Sequence, residues 1–110
     1  MATINIEELL GNMINAASSE LGAKWPAAKD YAESEFKKIG ESILFIEAQY
    51  VLGKISDIQA RLHLELQKQA SKTVLLAIEG LGILAVEAAI NAALSVLKDT
   101  VNTSLGFVLL

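Results

Sequence analysis

The chain has no cysteine, one histidine and one proline. Without cysteine there are no disulfides, thiolate metal sites or cysteine nucleophiles. A single histidine does not furnish the paired Glu-x-x-His ligands of a di-iron carboxylate bundle, and Ala60 stands three residues before His63. A serine or threonine nucleophile needs a nearby base, and no G-x-S-x-G elbow is present. Gly80-Leu81-Gly82 follows no strand and precedes no lysine at the required place, so it reads as a helix-ending turn, not a phosphate cradle. Nine basic against thirteen acidic residues leave a net charge of −4, which provides no footprint for nucleic acid. The expectation is a protein that is not an enzyme and uses no metal or cofactor.

What is plentiful is aliphatic. Apolar residues make up 53% of the chain but aromatics only 5%, so the excess is Ala, Ile, Leu and Val. At 110 residues this is one domain, 1–110, able to sustain a single core. Small aliphatic side chains suit close helix packing, and one proline leaves long stretches unbroken.

Four apolar stripes at helical spacing follow one another. Asn5 with Glu8 forms a capping-box variant, and Ile6, Leu9, Leu10, Met13, Ile14, Ala17 and Leu21 fall on one face, ending at Gly22. Pro26 suits a first helical turn, after which Ala28, Ala32, Phe36, Ile39, Ile43, Ile46 and Tyr50 form the second stripe. The third stripe, Val51, Ile55, Ile58, Leu62, Leu66, Gln69 and Thr73, is rotated from the second by about 130° at 100° per residue. One straight helix would have to bury two sides of itself. A break fits better: Gly53 stops one helix and the Ser56-x-x-Gln59 box starts another, running from about 56 to 79. After Gly80–Gly82, Ile83, Val86, Ile90, Ala93, Leu94, Leu97 and Val101 form the fourth stripe, ending at Gly106. This describes an all-α, up-down-up-down four-helix bundle. The alternative is a long helical hairpin completed by oligomerisation. Only Phe107–Leu110 carries any strand signal.

Function is expected to lie in binding. Ala85, Ala89 and Ala93 recur at i,i+4, spacing that lets two helices approach closely, and Leu97 continues the face. An apolar tail of Phe107, Val108, Leu109 and Leu110 gains little from standing in water. Together these residues predict self-association, or capture of a helical partner, by a non-catalytic assembly protein. A second possibility is membrane activity by a hairpin at 73–97, where Glu79 and Glu87 are the only charges; the carboxylates, Asn91 and the one-sided stripe weigh against it. A third is a small-ligand-binding bundle using Trp25, Tyr31 and Tyr50 or a perturbed acid among Glu47, Glu79 and Glu87. His63 lies off the stripe and reads as a flank residue. The first residues, Met1–Asn5, carry no Lys or Arg and resemble no secretory signal, so the expected address is cytoplasmic.

Overall fold

The computed structural model describes residues 5–110, all-α among these residues. The reading of Met1–Ile4 as lacking a signal lies outside them. Among the described residues five α-helices run in order, α1 Ile6–Leu21, α2 Trp25–Val51, α3 Asp57–Leu76, α4 Ile83–Ser95 and α5 Lys98–Leu105, with one 3-10 turn, Gly22–Lys24, between α1 and α2. Helices α4 and α5 are one broken fourth arm. Each arm packs on its neighbours in sequence and the fourth closes on the first, giving a four-helix bundle.

The helix starts obey local chemistry. Asn5 Oδ1 accepts from the Glu8 amide at 3.2 Å. Ser56 Oγ accepts from the Gln59 amide at 3.1 Å while Gln59 Oε1 accepts from the Ser56 amide at 2.8 Å, a complete capping box. Between α2 and α3, Gly53 adopts φ 71°, which side chains with a Cβ rarely tolerate, so the chain reverses there instead of continuing as one long helix. The third helix stops at Leu76, three residues short of the expected 79. Its last turn tightens, with the Ala77 and Ile78 amides donating to Val74 and Leu75 carbonyls. The Lys24 ammonium then holds the Gly80 carbonyl in the loop that follows.

Unequal helix lengths explain the rest of the architecture. Helix α2 has 27 residues and α1 only 16, about 40 Å against 24 Å at 1.5 Å per residue. Ile6, at the start of α1, sits on Gly40 of α2, so closely that a Cβ there would overlap its side chain. Beyond Gly40 the second half of α2 has no α1 to cover it. The fourth arm, expected as one stripe through Val101, breaks instead after Ser95, where the Leu97 amide bonds to Leu94 at 3.1 Å. Leu97 fills this elbow and is fully buried. Past the elbow, α5 packs on α2 in the space that the short α1 leaves, burying Val101 and Leu105.

The third stripe faces the other way from expectation. The buried residues of α3 are Ala60, Leu64, Ser71 and Leu75, whereas Ile58, Leu62 and Leu66 are 72%, 59% and 63% exposed. The inward face is narrow and partly polar. Ser42 Oγ of α2 donates to Gln67 Oε1 at 3.5 Å, and Gln67 Nε2 donates to the buried Ser71 Oγ at 3.3 Å. Ala60 and Ser71 let α3 lie close to α2, and the pairing satisfies the polar groups it buries. Leucine occurs on both faces, so hydropathy alone does not choose between them.

Candidate functional site

The expected interface residues are largely consumed by the chain itself. Ala89 and Ala93 are fully buried and Ala85 half-buried on α4, whose main neighbour is α1, and Leu97 is fully buried in the elbow that follows. Close approach through the alanine row therefore occurs within the bundle. The tail is held down as well. Asn102 Oδ1 accepts from the Leu109 and Leu110 amides at 2.9 and 3.0 Å. Arg61 Nε donates to the Val108 carbonyl at 2.9 Å. The Phe107 ring lies 4.5 Å from that of Tyr50, with the Arg61 guanidinium 5.5 Å from its centre. Leu109 is buried and Phe107 and Leu110 half-buried; of the four, Val108 alone is exposed. The tail is thus covered within the chain, held through its backbone by the polar groups of Asn102 and Arg61.

The three carboxylates lie apart. Glu47 is half-buried and accepts from Ser104 Oγ, linking α2 to α5. Glu87 pairs with Lys72 at 2.7 Å, bridging α4 to α3, and Glu79 is exposed in the loop before α4. The carboxylate that is buried is Glu35, 3% exposed and paired with Lys38 at 3.0 Å. It lies between Ala32 and Ile39 on the second stripe, so its phase was visible in the sequence. Among the described residues no group of three or more His, Asp or Glu could hold a metal ion. His63 is half-buried on the flank of α3, edge-on to Phe45 at 5.1 Å. Trp25 and Tyr50 are half-buried near opposite ends of α2 and Tyr31 is exposed, so the three do not form one groove. No helix among the described residues is long and apolar enough to cross a membrane, and residues 73–97 are split by the loop between α3 and α4.

Two features remain. The first is the outward face of α3. At 100° per residue, Leu62 and Leu66 lie about 160° to either side of buried Leu64, so the stripe points almost directly away from the core. Arg61 and Glu65 border it on one flank, four residues apart. The second is the seam between α3 and the fourth arm, the loosest of the seams between neighbouring arms. A cleft of about 520 Å³ opens there, floored by Leu64, Leu94, Leu109 and Leu110 and bordered by Arg61, Lys68 and Lys98.

No known family model matches the chain, and no curated protein or solved structure does.

Proposed function

We propose that this is a non-catalytic assembly protein that self-associates through the outward face of α3. The observation that carries the proposal is the exposure of Ile58, Leu62 and Leu66, one per helical turn, on the side of α3 opposite its buried residues. A helix that is apolar on both faces is suited to a second neighbour. A contiguous apolar patch of this kind on a folded surface marks an interaction site more often than scattered leucines do.

The charge pattern favours a second copy as that neighbour. When two copies of a helix pack antiparallel about a two-fold axis, each flank meets the same flank of the other copy. Arg61 and Glu65 share one flank, so the reversal sets Arg61 of each copy beside Glu65 of the other. Leu62 meanwhile packs against Leu66. Parallel packing would face this flank with the uncharged Gln59 and Ala70 side instead. Each stripe leucine or isoleucine is worth at most about 1.5–3 kcal/mol when fully buried, against an association cost of roughly 4–15 kcal/mol. The expected dimer is therefore of micromolar or weaker affinity.

Sedimentation velocity over a concentration series tests this, comparing the natural chain with Leu62→Glu/Leu66→Glu. The expected result is a reversible dimer that the double substitution abolishes at unchanged helical content. A monomer at every concentration would sink self-association and leave the stripe for a different helical chain. A dimer that survives the substitution would place the interface elsewhere.

A further inference from the structure

The cleft between α3 and the elbow of the fourth arm combines two things a small amphiphile needs. Its floor is four leucine side chains, and its rim carries cations. Its volume, about 520 Å³, falls within the range of sites that enclose small ligands, roughly 300–1,000 Å³. It opens where the fourth arm turns at Leu97 and α5 packs on α2, with the chain's tail closing one side against α3.

The rim cations differ in their commitments. Arg61 is engaged by the Val108 carbonyl, Asp57 and the Phe107 ring, so it fixes the tail that forms one wall. Lys68 and Lys98 form no ion pair among the described residues, whereas Lys38 and Lys72 are both paired. Glu65 is the only carboxylate side chain lining the cleft. In a chain of net charge −4, two uncommitted ammonium groups beside an apolar floor select for a negative head group on a hydrocarbon chain.

We propose that this cleft binds a single-chain anionic amphiphile, its head group at Lys68 and Lys98 and its chain over Leu64, Leu94, Leu109 and Leu110. The apolar parts of the two sites are separate, Lys68 and Lys98 bordering the cleft while Leu62 and Leu66 point away from it; Arg61 and Glu65 lie on the boundary between them.

Amide chemical-shift mapping with decanoate below its micelle concentration tests the proposal, with decyltrimethylammonium as the cationic counterpart of equal chain length. Decanoate is expected to give saturable shifts at residues 64–68, 91–98 and 109–110, and Lys68→Gln/Lys98→Gln to weaken it roughly tenfold with the fold intact. Equal binding of the cationic amphiphile, unchanged binding by the lysine variant, or no saturable decanoate shifts would each overturn it. So would shifts confined to the Ile58–Leu66 outer face. The Leu62→Glu/Leu66→Glu variant is expected to bind decanoate normally, so the failure of one proposal does not entail failure of the other.

Discussion

Leu62 and Leu64 stand two residues apart on one helix, identical in composition and opposite in fate: 59% and 5% exposed. Truncating each to alanine therefore tests the phase of α3 directly. Leu→Ala removes three carbons, and at about 0.8 kcal/mol per buried methylene the transfer loss at Leu64 is about 2.4 kcal/mol. Residual cavity adds to this, and measured core leucine truncations fall at about 2–5 kcal/mol. Because Leu64 also floors the cleft, its neighbours and water can fill part of the void, so a value of about 2–3 kcal/mol is expected. Leu62→Ala exposes no new core surface, and alanine is an excellent helix former, so its cost should stay within about 0.5 kcal/mol. Urea unfolding followed by circular dichroism measures both, at a protein concentration low enough to keep the chain monomeric. The Leu64 variant should lose a large part of a total stability of order 5–15 kcal/mol, with little change in the denaturant slope. If Leu62→Ala proved the costlier change, α3 would be rotated by about half a turn from the orientation described, and both the assembly face and the cleft would fall with it.

Two further perturbations address other links. Gly11 lies inside α1 with nothing within 4 Å of the place a Cβ would occupy, so Gly11→Ala should stabilise the fold by about 0.8–1 kcal/mol; a melting temperature that is unchanged or lowered would contradict an open helical site. Asn102→Ala removes the acceptor for two tail amides and should cost about 1–2 kcal/mol, with amide hydrogen exchange at Leu109 and Leu110 accelerated well beyond that of α4; unchanged protection there would show that side-chain packing alone holds the tail.

The parts of the architecture written in short stretches of sequence were legible in them. The Ser56-x-x-Gln59 box, Asn5 before Glu8, Pro26 in a first turn and Gly53 at a reversal act through atoms within a few residues of one another, so their geometry follows from local covalent and hydrogen-bonding constraints. The stripes of α1 and α2 were equally plain, because each has a single strongly apolar face. Glu35 shows that a correct stripe can hold a charged resident: its phase places it inside, where it pairs with Lys38.

The candidate sites depended on information no local window holds. Helix α3 has leucines on two faces, and the choice between them was made by Ala60, Ser71 and Gln67 meeting α2. The elbow at Leu97 carries no glycine or proline signal; it follows from the mismatch between a 16-residue α1 and a 27-residue α2, which leaves a stretch of α2 for α5 to cover. An apolar tail needs cover, but that the cover comes from its own chain depends on Asn102 and Arg61 reaching its backbone. Sequence by itself thus determined the capped helix starts and the turns at Gly22 and Gly53, since those energies are local. Which face each helix buries, and so which apolar surface and which cleft remain for a partner, was decided by tertiary packing, because burial is a property of the neighbours a residue meets.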